Sequence, residues 1–307
     1  MRDGSAAGGK RLFIATFLIP PLLLYGVFVV SPYAQAFQIS ATNWGGLSPD
    51  FDFVGLDNFS RLAGDGTFWN ALRHNAILLV LLPVVTILLG LFFASMISVG
   101  GRADRAGVHG VRGAGFYRIV YFFPQVLSVA IVGVLWKEMF APNSGLINGL
   151  LRAVGLDGLA QPWLGDPRFS FWCLAVVLLW SNVGFYVVLF SAAMQSIPRD
   201  IYEAALLDGA NRAATLFRIT VPLVWDSIQV AWVYLAIIAI DAFAVAQIVT
   251  NGGPGYSSDV VGLRLYKTAF AESQFGYASA IGVAMFFLTL SVAAVFLRVT
   301  RRERVEL

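Results

Sequence analysis

Asp241 is the only formally charged residue within six long apolar stretches of this sequence. A carboxylate in such surroundings usually faces a polar interior and has a function, because charge is costly among apolar groups. Asp241 is therefore a candidate to accept hydrogen bonds from the hydroxyl groups of a solute. A structural alternative, a hydrogen bond to a neighbouring helix or to a second chain, fits the sequence equally well.

Other polar and aromatic side chains within the same stretches are candidates for a solute pathway. Recognition of a polar organic solute uses this mixture, since its hydroxyl groups require donors and acceptors and its apolar ring faces stack on aromatic rings. The alternative is structural, because aromatic residues form belts at membrane interfaces and isolated amides often bridge helices. The candidates are Gln125, Trp180, Asn182, Tyr186, Tyr234, Phe243 and Gln247.

The sequence contains no pattern of catalytic or metal-binding residues. Cys173 is the only cysteine and lies in an apolar run, so neither a disulfide nor a cysteine metal site is available within the chain. His74 and His109 are predicted in solvated loops on opposite sides of a membrane and cannot share a site. A phosphate-binding loop of the form G-x-x-x-x-G-K-[ST] is absent. We therefore predict no active site, metal or cofactor in this chain.

The composition indicates a membrane protein. Of the 307 residues, 58% are hydrophobic and 13% are charged, and the mean hydropathy is +0.74. A soluble core cannot hide this much apolar surface, whereas lipid-facing helices do not need to hide it. The net charge of +3 comes from short scattered clusters rather than from one basic face, which argues against nucleic-acid binding.

Six stretches have the length of about 20 mainly apolar residues that a spanning helix needs. The first is too long for the core of a cleaved signal peptide, although Ala34-Gln35-Ala36 has the form of a cleavage site. The sequence thus predicts an all-α integral membrane protein with six transmembrane helices. Their expected limits are Leu12–Val30, Ala76–Val99, Ile119–Trp136, Phe169–Ala193, Ser227–Val249 and Ser273–Leu297.

The distribution of basic residues predicts the orientation. With six spans, fourteen of the 21 Lys and Arg residues lie on the side of the N-terminus and seven on the other. Because Lys and Arg favour the cytoplasmic side, both termini are predicted to be cytoplasmic. The expected organisation is a tail at 1–11, a transmembrane domain at 12–297 with a cytoplasmic loop at about 195–222, and a tail at 298–307, in the cell membrane.

The 195–222 loop is polar and has the composition of two short helices joined at Gly209. Asp200 is expected to cap the first helix, with Glu203 as its partner in a capping box. Gly209 can adopt the positive φ that ends the first helix, and Pro222 limits the second. From these residues alone, a connecting hairpin on the membrane surface and a protein-docking element are equally acceptable.

The loop resembles the EAA loop of permeases in binding-protein-dependent ABC importers. The matching segments are Glu203-Ala204-Ala205, Asp208-Gly209-Ala210 and Phe217-Arg218-Ile219-Thr220-Val221-Pro222, in the family order and spacing. Val221 stands where the family favours Leu, which keeps the apolar character. The carbohydrate branch of the family is also similar at Ser31-Pro32-Tyr33, at 53–59, at 250–255 and at 265–270.

The resemblance implies a type I importer permease that pairs with a second permease and two ATPase subunits, and that receives its solute from an extracytoplasmic binding protein. ATP and Mg would be bound by the ATPase subunits. The first helix of the loop would enter a groove on an ATPase subunit, with Glu203 at the contact. Ala204 and Ala205 would allow close approach, and Gly209 the turn.

The cargo implied by the resemblance is a carbohydrate, with N-acetylglucosamine or an oligosaccharide as the more specific candidates. A non-sugar solute such as glycerol phosphate stays open. Two rival hypotheses come from other classes of protein: a proton-coupled secondary transporter that uses Asp241 as a relay, and an anchor or assembly subunit without a pathway of its own.

Overall fold

The computed structural model describes residues 3–48, 51–98 and 113–299. These residues are mostly helical, and their only strand-type pairing is an isolated bridge between Thr42 and Phe53. The prediction of an all-α fold is therefore confirmed. In chain order the helices are α1 Asp3–Tyr25, α2 Ser31–Ser40, α3 Asp57–Gly64, α4 Gly66–Ser98, α5 Ala114–Val126, α6 Val129–Met139, α7 Leu146–Ala153, α8 Ser170–Gln195, α9 Arg199–Leu207, α10 Arg212–Thr215, α11 Val221–Leu223, α12 Trp225–Ile240, α13 Phe243–Val249, α14 Val261–Tyr266 and α15 Phe275–Val299.

Four to six membrane spans are available in the described part of the chain. The continuous ones are Phe13–Ser40, Gly66–Ile97, Ser170–Gln195 and Phe275–Phe296. Two more exist if each of two bent helix pairs counts as one span: α5 with α6, bent by 96°, and Arg212–Leu223 with α12, bent by 76°. The prediction of a membrane fold stands, but the third predicted stretch is bent at Leu127 and Ser128, and the 76° bend lies at Val224, just before the fifth.

Two helices accommodate a proline by forming a wider, π-type turn just before it. The N–H of Ser31 donates to the carbonyl of Gly26, and the N–H of Val221 donates to that of Leu216, each five residues earlier. Pro32 and Pro222 follow directly. Proline lacks an N–H, and its ring clashes with the carbonyl four residues before it, so a π-type turn at this point lets the helix continue.

The bend between α5 and α6 lies at Leu127 and Ser128. Pro124 is inside the last turn of α5, and Leu127 and Ser128 both adopt extended backbone angles. The Ser128 hydroxyl then accepts a hydrogen bond from the N–H of Ile131 at 3.4 Å, which caps α6. The new helix α6 therefore begins with a side-chain cap, and the bend is fixed by the residues around it.

The backbone packs as two compact units, which are described separately here. The first comprises Met1–Asp65 and Leu265–Val295. In it, the side chain of Asn58 donates to the carbonyls of Ser40 and Thr42, both at 2.8 Å, and so holds the end of α2. The Tyr277 hydroxyl donates to Asp65 at 2.6 Å, which joins the end of α3 to the start of α15.

The second unit comprises Gly66–Arg264 and Phe296–Leu307. Its buried side chains form two clusters, one among α4, α6, α8 and α13, and the other among α4, α8, α9 and α12. Glycines permit the closest helix contacts. A Cβ on Gly184 of α8 would collide with the carbonyl of Tyr121 in α5, and one on Gly133 of α6 would lie 2.6 Å from Ile248 of α13.

Candidate functional site

The first helix of the 195–222 loop begins without a side-chain cap. The predicted capping box is wrong, because α9 starts at Arg199 after Pro198 and no side chain bonds to its first N–H groups. Asp200 instead lies inside the first turn, where a carboxylate favours the positive end of the helix dipole. Pro198 accounts for the difference, since its restricted φ already directs the chain into the helix.

The turn after α9 has the hydrogen bonds of a Schellman motif. The N–H of Gly209 donates to the carbonyl of Leu206 at 3.1 Å, and the N–H of Ala210 donates to that of Ala205 at 2.9 Å. Gly209 has φ of 76°, as the sequence predicted. Asn211 follows at once and caps α10, because its side-chain oxygen accepts the N–H of Ala214 at 2.8 Å.

The residues of α9 divide between an outer and an inner face. Glu203, Ala204 and Asp208 are exposed, and the apolar side chain of Leu207 is 88% exposed. Ala205 is buried within this chain, so its small side chain serves the packing of the loop on its own core. The motif residues are therefore close in space, but only some of them are open to a partner.

Tyr202 holds α9 against the other helices of the second unit. Its ring is buried, and its hydroxyl lies 3.2 Å from the hydroxyl of Thr220, which itself donates to the carbonyl of Thr215. The same buried cluster contains side chains of α4, α8 and α12, among them Leu91 and Phe190. Closely packed side chains therefore connect α9 with α4, α8 and α12, so a displacement of α9 would move those helices as well.

Asp241 lies at a break in the fifth predicted span. The expected continuous helix Ser227–Val249 is wrong: α12 ends at Ile240, Asp241 has φ of −92° and ψ of 45°, and α13 starts at Phe243. Aspartate is a poor residue for a helix interior and favours helix ends, which explains the position of the break. Its side chain is exposed, as a candidate solute contact must be.

Asn75 holds this break and was not recognised from the sequence. Its side-chain amide donates to the carbonyls of Ala239 and Ile240 at 2.8 and 3.2 Å, and its oxygen accepts the N–H of Val261 at 2.8 Å. The predicted span began at Ala76, which left Asn75 in a loop. The structure places it inside α4, which starts at Gly66 and has no Gly or Pro from residue 67 to residue 82 that would interrupt it.

The other pathway candidates differ in their exposure. Tyr234 precedes Asp241 by seven residues and lies on the same exposed face of α12. Phe243 and Gln247 are half-buried on α13, while Gln125 and Trp180 are exposed on α5 and α8. Phe243 is the first residue of α13 after the break, and Gln247 lies one turn further along. Trp180 makes an edge contact with Trp136 at 5.5 Å between ring centroids.

Two candidates are enclosed by the chain itself. Tyr186 is 2% exposed within the core between α4 and α8. Asn182 is also buried, and its amide donates to the carbonyl of Leu178 one turn earlier. The sequence could not separate these residues from the exposed ones, because α8 is apolar around its whole circumference.

His74 does not occupy the solvated loop predicted for it. It lies inside α4 and is 9% exposed, with its ring stacked on Phe171 at 4.6 Å between centroids. Its Nδ1 is 2.7 Å from the carbonyl oxygen of Asp259, a distance at which a protonated Nδ1 donates. His109 lies outside the described residues. Among those described, no three His, Cys, Asp or Glu side chains are grouped as metal ligands.

Comparison with known proteins gives consistent results. Residues 70–305 match the model of the family described as "Binding-protein-dependent transport system inner membrane component". The chain is 45% identical to the diacetylchitobiose uptake system permease protein NgcF of Streptomyces coelicolor, over 94% of this chain and 82% of the relative. It is 34% identical to the multiple sugar-binding transport system permease protein MsmF of Streptococcus mutans, over 94% and 96%.

Solved structures agree on the fold. The chain matches a subunit in the crystal structure of a bacterial alginate ABC transporter, in complex with a periplasmic protein that holds an alginate pentasaccharide. The TM-score is 0.77 at 21% identity, and 96% of each chain is covered. With the membrane spans found above and the match over residues 70–305, the chain is a multi-pass membrane protein that belongs to the family of binding-protein-dependent transport system inner membrane components.

Proposed function

We propose that this chain is the permease subunit of an ATP-driven sugar importer, coupled to ATPase subunits through the 195–222 loop. The observation that carries the proposal is the outer face of α9. Glu203, Ala204 and Leu207 are exposed on this face, while the Tyr202 ring on the opposite face is buried in the core and anchors the helix. A leucine that is 88% exposed beside an acidic residue suits a groove on a partner protein better than it suits water.

The loop transmits movement and performs no chemistry. An ATPase subunit that closes around ATP and Mg would pull α9 with it. The contact from Tyr202 to Thr220 and the buried cluster behind it would pass the displacement to α4, α8 and α12. Packed helices respond to such a pull by rigid-body rocking, which opens the solute site to alternate sides of the membrane. The chain itself is not an enzyme in this scheme.

The complete importer would contain four membrane and cytoplasmic subunits and a soluble one. They are this chain, a second similar permease, two ATPase subunits and an extracytoplasmic binding protein that delivers the solute. Support for the last partner comes from the related alginate transporter, which was solved with a periplasmic protein bound to a pentasaccharide. The 195–222 loop and both termini would then lie in the cytoplasm, as the excess of Lys and Arg on that side indicates.

The first candidate cargo is diacetylchitobiose or another short oligosaccharide of N-acetylglucosamine. The 45% identity to a diacetylchitobiose permease over 94% of this chain supports this assignment. The side chains that are accessible for a sugar combine a carboxylate, amides and aromatic rings, which is the chemistry that hydroxyl groups and pyranose faces require. They are Asp241, Tyr234, Phe243, Gln247, Gln125 and Trp180.

The test compares charge reversals on two exposed acidic residues. Complexes purified through a tag on this chain are examined for retained ATPase subunits, and for ATP-dependent uptake of a panel of radiolabelled sugars and glycerol phosphate. Glu203→Lys places a cation on the outer face of α9 and is expected to release the ATPase or to lower uptake at least tenfold. Asp157→Lys, a charge reversal at another exposed position, between α7 and α8, is the matched control and should change neither.

Each other outcome favours a different function. If Glu203→Lys keeps both the ATPase and full uptake, the loop is a connector and the proposal fails. If uptake in the presence of ATP is abolished by an uncoupler, a proton-coupled transporter with Asp241 as relay is the better explanation. If only glycerol phosphate enters, the importer stands and the sugar assignment falls.

A further inference from the structure

One amide links three segments of the second unit that are distant in sequence. Asn75 in α4 is 3% exposed, and its NH2 group donates to the carbonyls of Ala239 and Ile240 at the end of α12. Its oxygen accepts the N–H of Val261, the first residue of α14. The end of one helix and the start of another therefore depend on the same side chain.

These contacts provide hydrogen bonds to carbonyl groups that the break leaves without a helical partner. A helix that stops offers no following turn to its last carbonyl groups, and unsatisfied backbone groups are costly inside a membrane protein. A buried asparagine can donate two hydrogen bonds while it accepts others. At 2.8 and 3.2 Å from Ala239 and Ile240, the amide of Asn75 replaces the missing turn, and Asp241 is the next residue.

Neighbouring polar side chains hold the segment 250–260, between α13 and α14, to the same helices. Asn70, which is half-buried on α4, donates to the carbonyl of Tyr256 at 2.8 Å. The ring nitrogen of His74 lies 2.7 Å from the carbonyl of Asp259. The hydroxyls of Ser170 and Ser257 are 2.8 Å apart. The segment is thus tied to α4 and α8 at several points, and Asn75 joins it to the break.

We propose that Asn75 is a positioning residue for solute transport, which holds the α12–α13 break so that the Asp241 carboxylate is presented to the solute. Asn75 does not touch the solute in this scheme, because it is buried. The inference rests on the proposed function, and in particular on Asp241 as a solute contact. It extends that function to a residue more than 160 positions away in the sequence and to the segment 250–260.

The chain supplies a close control for the experiment. Asn148 in α7 is 1% exposed and is bonded in the same way: its NH2 donates to the carbonyls of Pro142 and Gln161 at 2.9 Å. Its oxygen accepts from the indole N–H of Trp163 at 2.7 Å. Asn75→Asp and Asn148→Asp therefore remove equivalent donors from equivalent burial within the same unit, and only the first lies at the break.

The measurement is the KM and the maximal rate of ATP-dependent diacetylchitobiose uptake by the purified complex in proteoliposomes. Asn75→Asp keeps the acceptor for Val261 but loses the donors to α12, so we expect KM to rise about tenfold with the ATPase still bound. Asn148→Asp should lower the amount of complex without moving KM. If Asn75→Asp does not assemble, Asn75→Gln keeps the amide on a longer side chain and should also raise KM.

A double-mutant cycle then tests whether Asn75 acts through Asp241. In an Asp241→Asn background, Asn75→Asp should raise KM no further, because the group it positions has gone. Additive effects, or an Asn75 variant with the KM of the Asn148 control, would overturn the inference. A wild-type complex that takes up no sugar would refute the proposed function instead, so the two failures are distinguishable.

Discussion

Asp241 directly follows α12, a helix that is too short to cross a bilayer alone. The 16 residues of α12 span about 24 Å at 1.5 Å per residue, against a hydrocarbon core of about 30 Å. The sequence predicts Asp241 within a membrane span, where a charge is tolerated only beside a polar partner or a solvated path. Its exposure on this chain leaves that path, or a partner, on the open side of α12.

Asp241→Asn is expected to weaken transport by weakening solute binding. The change keeps the shape of the side chain but removes the charge, and charge-assisted hydrogen bonds contribute about 1.5–3 kcal/mol. KM for the sugar should rise about tenfold or more while the complex still assembles. Asp226→Asn, an exposed change in the first turn of the same helix, serves as control and should leave KM unaltered. Equal uptake kinetics for both variants would remove Asp241 from the solute site.

At the scale of elements, the helices themselves could be predicted but their interruptions could not. A hydropathy average covers about 20 residues, so it located the apolar stretches and missed the breaks at Leu127–Ser128 and Asp241–Ala242. Both breaks depend on tertiary contacts or on a cap of one or two residues. Asn75 was missed for the same reason, because its partners are more than 160 residues away in the sequence.

The 195–222 loop was predictable because its structure is local. The Schellman bonds at Gly209 and the cap at Asn211 join residues three to five positions apart, and such signals are readable in sequence. The burial of Ala205 was not readable, because it depends on α9 packing against the core. The roles of Glu203, Ala204, Asp208 and Ala210 toward an ATPase remain predictions.

Gly209→Ala is expected to uncouple ATP hydrolysis from transport. A Cβ at φ of 76° costs about 1 kcal/mol of backbone strain and disturbs the turn that orients α9. Gly155→Ala is a matched control, because Gly155 has φ of 77°, equally open surroundings and the same pattern of bonds after α7. Both variants should lose similar thermal stability, and only Gly209→Ala should lower the sugar transported per ATP. Equal ratios in the two variants would contradict the role of the turn.

At the scale of the whole molecule, the predicted orientation can be tested with introduced cysteines. Cys173 is the only cysteine and is buried, so it contributes little background labelling. Asp157→Cys and Asp208→Cys place thiols at exposed positions in the loops predicted outside and inside the cell. A membrane-impermeant maleimide added to intact cells should label the first and reach the second only after permeabilisation. The reverse pattern would invert the proposed topology.

The most direct test of the importer assignment is uptake of radiolabelled diacetylchitobiose by the purified complex in proteoliposomes. We predict that uptake requires ATP on the side of the 195–222 loop and the binding protein on the opposite side. It should continue unchanged when an ionophore removes the proton gradient, because the energy comes from ATP. Uptake that proceeds without ATP and stops with the ionophore would contradict the account, and would make Asp241 a proton relay in a secondary transporter.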